Sequence, residues 1–245
     1  MPRFAVVIPA AGQSSRFKDE HYKKPFANLD GRAVWLHSAE KFLNRKDVQQ
    51  VIVVVADEDR EFFNMKFSAN AAILGIEVSP GGASRAESVE RALARVKPDV
   101  EFVAVHDAAR PCIADEWITR VFDAAEKSGA ALLAIPVSGT LKRVGANHLV
   151  EETVSREGLW EAQTPQVFRR ELLLEAYAKR GDFPATDDAQ LVERIGHPVT
   201  IVPGSSINFK INTKQDLRLA EQALKILPKP KLEGFSHPFS DDLWR

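Results

Sequence analysis

The segment Pro9-Ala10-Ala11-Gly12-Gln13-Ser14-Ser15-Arg16 ends an apolar run with small residues and then places an arginine. Small side chains let backbone N–H groups approach a ligand, and strand-to-helix loops of this kind bind phosphates. The spacing is neither the GxGxxG of a dinucleotide fold nor the GxxxxGK[ST] of a P-loop. A phosphate cradle and a plain surface turn are both open readings at this point. Lys24, next to Pro25, follows eight residues after Arg16, behind Lys18 and Lys23. As a charge run the segment reads as a solvated face. As the far flank of the same loop, Lys24 can converge with Arg16 on one triphosphate and offset charge on a departing pyrophosphate.

A second candidate is Val105-His106-Asp107-Ala108-Ala109-Arg110-Pro111. It directly follows an apolar run, which puts it at the carboxyl edge of a sheet, where open α/β folds bind ligands. A carboxylate there suits magnesium or ribose, and a guanidinium suits phosphate. The competing reading is an Asp–Arg ion pair that closes the loop. His106 is a poor candidate base, because phosphoryl groups ionised at pH 7 need none. Cys112 reads as packing. Arg156, Thr164 in Gln163-Thr164-Pro165-Gln166, and Lys210 in Asn208-Phe209-Lys210-Ile211 are further polar groups. Taken singly, each reads as a surface or turn residue.

The elements that must position these groups alternate. Phe4 to Pro9, Val51 to Val55, Ile73 to Val78, Phe102 to Val105 and Ala131 to Ile135 read as buried strands. Between them lie helical stripes: Trp35, Ala39, Phe42 and Leu43; Val89, Ala92, Leu93 and Val96; Trp117, Val121, Phe122 and Ala125. Ser84 with Glu87 forms a capping-box pattern after the Gly81-Gly82 turn, and Lys127 with Gly129 closes the third stripe. Such alternation predicts a largely parallel sheet with helices on both faces. From about residue 138 the pattern changes. Leu141 to Val144 and Leu149 to Val154 flank Gly145-Ala146-Asn147-His148 as a hairpin, which is marginal alone and calls for a partner, most economically a second subunit. A helix near Arg170 to Lys179, a strand near Val199 to Val202 and a helix from Thr213 to Leu227 complete the pattern. The last helix has Leu217, Ala220, Leu224 and Leu227 as its apolar face.

Bulk properties exclude several classes. Among 245 residues, Lys plus Arg (33) and Asp plus Glu (34) nearly cancel, so no global field favours nucleic acid or an anionic membrane. No apolar run approaches the roughly 18 residues of a membrane span, and the N-terminus carries no signal-peptide pattern. One cysteine rules out an internal disulfide or a cysteine-based zinc site, so a reduced, cytoplasmic protein is expected.

Together, AAGQSSRF, GGASRAESV, VHDAARP, PVSGTLKR, TVSREGLWEAQTPQVF, ATDDA and NFKINTKQDL resemble, in order, the motifs of the methylerythritol phosphate cytidylyltransferase family. The likeness runs from about residue 4 to residue 225. VHDAARP and the RxGLWxxQTPQ stretch are its most diagnostic parts. The resemblance implies a Rossmann-like α/β nucleotidyltransferase domain over residues 1–227, with a mostly parallel sheet and a projecting β-hairpin arm at 138–160. A tail over 228–245 has no counterpart. The implied reaction joins CTP to 2-C-methyl-D-erythritol 4-phosphate with magnesium, in a homodimer formed through the arm.

Carried over by residue, the resemblance implies that Ala10, Ala11, Gly12, Gly82, Ala83 and Ser88 hold the nucleotide. Arg16 and Lys24 would stabilise the transition state, and Asp107 would place magnesium and substrate. Arg110, Thr140, Arg156, Thr164, Thr186 and Lys210 would surround the acceptor, with Thr140 and Arg156 reaching in from the other subunit's arm. Two departures stand out. Lys23-Lys24-Pro25 replaces the usual Pro-Lys-Gln, and Lys24 is chosen because it keeps the spacing to His37-Ser38. Ala83 stands where an acidic residue is common, leaving only its backbone to meet the base. Rival readings are a ribitol 5-phosphate cytidylyltransferase, a nicotinamide-dependent dehydrogenase (which lacks its GxGxxG here) and a non-catalytic nucleotide-binding module.

Overall fold

The computed structural model describes residues 2–12, 17 and 23–228. Arg16 and most of the tail lie outside the described residues. Among those described, eleven strands and seven α-helices follow in order. They are β1 (Phe4–Pro9), β2 (Asn28–Leu29), β3 (Arg32–Ala33), α1 (Val34–Leu43), β4 (Val48–Val55), α2 (Arg60–Ile73), β5 (Glu77–Pro80), α3 (Arg85–Leu93) and β6 (Phe102–Val105). Then come α4 (Asp115–Ser128), β7 (Ala130–Pro136), β8 (Leu141–Val144), β9 (Val150–Val154), β10 (Trp160–Arg169), α5 (Arg170–Ala178), α6 (Asp188–Arg194), β11 (Thr200–Pro203) and α7 (Lys214–Lys225).

Seven strands form one sheet in the order β11-β7-β10-β6-β1-β4-β5. All neighbours run parallel except β10, which is antiparallel to both β6 and β7. The run FAVVIP forms β1 because a central strand is covered on both faces and so reads as continuously apolar. Phe4, Val6 and Ile8 face a core shared with α1, α2 and α4. Ala5 and Val7 face one shared with α3, α5 and α6. The stacked rings of Phe4 and Phe122, with centroids 4.0 Å apart, tie α4 to the first layer. Gly129 ends α4 at φ 84°, a left-handed conformation that suits a residue without Cβ. A third, smaller core packs α7 through Ala220 and Ala223 onto Leu29, Val34 and Cys112.

The expected strand at Ile73 to Val78 is corrected. Ile73 is the last residue of α2, Gly75 takes φ 64°, and the strand is Glu77–Pro80. Gly75 N–H bonds Ala72 O and Ile76 N–H bonds Ala71 O, so the apolar residues there close a helix before they begin a strand. The hairpin forms as expected, with Leu141 opposite Val154. It is a separate two-stranded sheet, and Val144, Leu149 and Val150 are 48%, 65% and 59% exposed.

Candidate active site

Three loops converge at the carboxyl ends of β1, β5 and β6, each held by contacts the sequence makes necessary. The loop after β1 is tied to the sheet by Ala10 N–H donating to Val54 O at 2.8 Å. Gly81 N–H donates to Val55 O at 2.7 Å, and a Cβ at Gly81 would lie 2.7 Å from the Ala11 Cβ. Only glycine allows these two loops to come so close. Gly82 N–H donates to Ser88 Oγ at 3.0 Å, and that hydroxyl donates to Ser84 O at 2.8 Å. Ser84 caps α3 as expected, but Glu87 reaches back to Ala83 N–H at 2.8 Å rather than closing the box on Ser84. The result is a cleft of about 320 Å³ lined by Ala10, Ala11, Gly12, Gly82, Ala83 and Ser88, with Lys24, Arg85, Asp107 and Lys210 along its walls.

Lys24 enters this cleft from a short 3-10 turn, Lys24–Phe26. Its anchor is Phe26, buried against Phe67 and Phe63 with ring centroids 5.9 and 6.1 Å away. Burying such a ring contributes roughly 1.5–3 kcal/mol. Lys23 points elsewhere, pairing with Asp59 at 2.7 Å and Glu58 at 2.8 Å. The choice of Lys24 over Lys23 thus agrees with which lysine lines the cleft.

A second cleft of about 200 Å³ adjoins the first and is lined by Arg110, Thr164 and Thr186 together with Arg85, Asp107 and Lys210. These last three line both clefts and so mark the seam between them. Asp107 Oδ2 is 2.7 Å from Lys210 Nζ and 3.6 Å from Arg110 Nε, while Oδ1 is 3.8 Å from Arg85 Nε. Burial opposes ionisation of Asp107, but Lys210, Arg85 and Arg110 outweigh it and hold the carboxyl well below the usual carboxylate range. The competing expectation of a loop-closing Asp–Arg pair is therefore half right, since Arg110 does face Asp107 while lining the second cleft.

A hydrogen-bonded chain fixes the loop after β6. His106 Nε2 sits 3.0 Å from Arg110 O, a pure acceptor, so Nε2 carries the proton and Nδ1 accepts from Thr164 Oγ1 at 3.1 Å. Thr164 Oγ1 in turn accepts from Asp107 N–H at 3.0 Å. Burial holds the His106 pKa down at about 4, which keeps the ring neutral at pH 7. It serves as a strut, in line with its rejection as a base. Ser38, on α1, adds a bond to Ala108 O at 2.9 Å. On the far side, Arg110 Nη1 donates to Asn208 O at 2.7 Å, Asn208 Nδ2 donates to Thr164 O at 2.9 Å, and Ile211 N–H donates to Ala109 O at 2.8 Å. These bonds deliver Lys210 to the seam.

Thr140 and Arg156 are brought to neither cleft. Both are exposed on or beside the hairpin, where Arg156 Nη1 donates to Ser138 O of its own chain. Arg85, within GGASRAESV, lines both clefts, and Asp188, within ATDDA, holds it from behind, although neither was singled out from its motif. Arg85 Nη2 lies 2.7 Å from Asp188 Oδ2, and Tyr177 OH donates to Asp188 Oδ1 at 2.6 Å. Breaking a fully buried ion pair costs about 3–5 kcal/mol, and with Arg85 28% exposed the cost here is smaller. The available signal was the position of Arg85 immediately after a helix cap at the sheet's ligand-binding edge. Cys112 is buried and its thiol is pushed up to about 12 by burial, as a packing residue requires. A larger cleft of about 520 Å³ lies between α1 and the end of α7, but it holds none of these loops. No helix among the described residues is long and apolar enough to cross a membrane.

Residues 4–226 match the family model for 2-C-methyl-D-erythritol 4-phosphate cytidylyltransferase. The enzyme of that name from Rhodopirellula baltica is 43% identical, over 90% of this chain and 94% of its own length. Its counterpart from Endomicrobium trichonymphae is 41% identical, over 90% and 98%. Among solved structures, the Francisella tularensis enzyme of the same name superposes with a TM-score of 0.78 at 30% identity, covering 91% of this chain and all (100%) of its own. That from Thermus thermophilus gives 0.74 at 35%, covering 90% and 98%. The motifs and the seven-stranded sheet agree with these likenesses, and the chain belongs to the 2-C-methyl-D-erythritol 4-phosphate cytidylyltransferase family.

Proposed function

We propose that this chain transfers the cytidylyl group of CTP to 2-C-methyl-D-erythritol 4-phosphate, giving 4-diphosphocytidyl-2-C-methyl-D-erythritol and pyrophosphate. The observation that carries this reading is the meeting of two clefts at Asp107, Lys210 and Arg85. A nucleotide in the first cleft and an acceptor in the second would bring the acceptor phosphate to the α-phosphorus. An acceptor oxygen forms the new P–O bond, the bond to the β-phosphate breaks, and pyrophosphate leaves with the electron pair, inverting phosphorus. No base is required, because the attacking phosphate is already ionised.

In this reading the nucleotide lies over Ala10, Ala11, Gly12, Gly82 and Ala83, with Ser88 shaping the loop. The amides of Gly82 and Ala83 are engaged by Ser88 and Glu87. The Gly81 carbonyl is taken by Arg91, so the Gly82 and Ala83 carbonyl oxygens are the loop's acceptors for a base, which suits the amino group of cytosine over the carbonyl of uracil. Lys24 and Arg16 stabilise charge developing on the phosphates. Lys210, Arg110, Thr164 and Thr186 hold the acceptor.

We read magnesium as a substrate-borne ion, since both oxygens of Asp107 already face Lys210, Arg110 and Arg85. Among the described residues no group of three or more acidic, histidine or cysteine side chains gathers, so Asp107 would be the protein's donor and the phosphates would supply others. Bound there, the ion would neutralise phosphate charge. Thr140 and Arg156 would complete the site of a second subunit, which would also cover Leu149 and Val150. The cytoplasm, where a buried free thiol such as Cys112 persists, is the expected location.

Pyrophosphate release across a matrix of nucleotides and sugar-alcohol phosphates tests the reading. CTP with 2-C-methyl-D-erythritol 4-phosphate and magnesium should be the best pair, and ribitol 5-phosphate much poorer. A kcat/KM for ribitol 5-phosphate equal to or above that for methylerythritol phosphate would overturn it.

A further inference from the structure

Arg85 is the first residue of α3, directly after the loop that walls the nucleotide cleft, yet its guanidinium reaches the acceptor cleft too. Its two contacts run to different carboxylates, Nη2 to Asp188 Oδ2 at 2.7 Å and Nε toward Asp107 Oδ1 at 3.8 Å. Asp188 is fully buried, lines neither cleft, and is held on its other oxygen by Tyr177. It can therefore influence the reaction only through what it holds.

On the opposite side of Asp107, Lys210 Nζ sits 2.7 Å from Oδ2. The side chains form a line from a buried anchor, Asp188, through Arg85 and Asp107 to a half-exposed ammonium at the seam. A planar guanidinium can bridge two carboxylates in fixed directions, whereas an ammonium on a flexible stem acts as a point charge.

We propose that Arg85, anchored by Asp188, is a positioning residue that holds the Asp107 carboxylate, and through it Lys210, in register with the acceptor phosphate. This rests on the cytidylyl-transfer reading above. A purely structural alternative exists, in which the Arg85–Asp188 pair only pins α3 to α6.

The two are separated with full-length Arg85→Gln, Arg85→Lys, Asp188→Asn and the double variant Arg85→Gln/Asp188→Asn. The double variant removes both charges of the buried pair and so avoids leaving one uncompensated. Thermal stability, KM for CTP, KM for 2-C-methyl-D-erythritol 4-phosphate and kcat are measured on each. Arg85→Gln should lower kcat/KM for the acceptor by about 10²-fold, the scale of a misplaced reacting group. KM for CTP should stay within about threefold. Asp188→Asn should lower the same acceptor parameter by about tenfold, and the double variant should fall no further than Arg85→Gln, as for residues acting as one unit. Arg85→Lys should lie between wild type and Arg85→Gln.

A double variant that melts earlier but keeps its acceptor kcat/KM per folded molecule would overturn the proposal in favour of the structural pin. So would a change confined to KM for CTP, which would make Arg85 a nucleotide contact. Wild-type activity in the same assay tests the parent reading separately.

Discussion

Around Asp107 the partners come from far along the chain. Lys210 pairs with its carboxylate, Thr164 takes its amide proton, and Arg85 links it to Asp188. In the hairpin the partners are near neighbours. Arg143 meets Glu152 and Lys142 meets Thr153, both among exposed side chains. The cleft is thus fixed by the fold as a whole, and its buried carboxylates, Asp107 and Asp188, have counter-charges against them. Beyond its base the arm's two strands pair only with each other among the described residues, and Leu149 and Val150 present apolar surface to solvent. A region built this way has a defined internal shape, while its placement is left to whatever covers it. If that is a second subunit, one region of the molecule supplies the chemistry and the other supplies the assembly.

The largest effect expected from this contrast concerns residues on either side of it. Lys24→Ala in the cleft and Arg156→Ala beside the arm should each lower kcat by about 10² to 10³, the scale of losing a preorganised donor. Co-expressed with different tags, they should regain about a quarter of wild-type activity. Random pairing makes half the dimers mixed, and each mixed dimer has one site with both groups intact. Pyrophosphate release that stays at the sum of the single variants, in a preparation shown to contain mixed dimers, would confine Arg156 to its own chain. The transferase reading would survive that result.

A smaller effect concerns the histidine buried behind the cleft. His106 has its folded pKa depressed to about 4 by burial, while in the unfolded chain it titrates near the ordinary histidine value of 6.5. Unfolding therefore takes up a proton between those values. The stability gained by keeping the ring neutral is complete above about pH 6.5 and is lost as pH falls toward 4, by about 3 kcal/mol. Asp107, also depressed, adds loss in the same direction at still lower pH. Urea unfolding from pH 7 to 4 should show this slope. A stability that does not fall as pH drops through this range would break the reading of the buried region as one that holds His106 neutral.

The smallest effect is within the arm. Arg143 and Glu152 are paired but 61% and 54% exposed. A double-mutant cycle on Arg143→Ala and Glu152→Ala should give a coupling of about 0.2–1 kcal/mol, falling with added salt. A coupling of several kcal/mol would mean the pair is buried in solution, and would sharpen the case for a covering subunit.

The sequence exposed the parts whose meaning is local. Continuous apolar runs gave β1 and β6, the Ser84 cap and Gly129 gave the ends of α3 and α4, and alternation about Gly145-Ala146-Asn147-His148 gave the hairpin. It concealed β10, whose first half, Trp160-Glu161-Ala162-Gln163-Thr164-Pro165, is polar, contains proline and breaks register between Ala162 and Gln166. It also concealed α2, whose closing residues mimic a strand. Within the site, Asp107, Arg110 and Lys210 were legible because each sits in a distinctive motif. Arg85 was not, although it sits in GGASRAESV, because its importance depends on Asp188, which is 103 residues away and one of two adjacent aspartates. No pattern in either segment announces the other.

The place of β10 in the sheet bears on how the chain acquires its shape. β6 and β7 are consecutive strands of the sheet along the chain, yet no hydrogen bond joins them, because β10 lies between. On a ribosome, β1, β4, β5 and β6 can pair as soon as they emerge, but their β6 edge stays open while the next sixty or so residues are made. The hairpin is synthesised in that interval, and residues 160–169 must then cap the β6 edge and offer β7 its place on the other side. An open β6 edge is a template for another strand. The interval before β10 arrives is thus the stage of synthesis at which nascent chains of this protein are most exposed to pairing with one another, and where a chaperone would have most to shield.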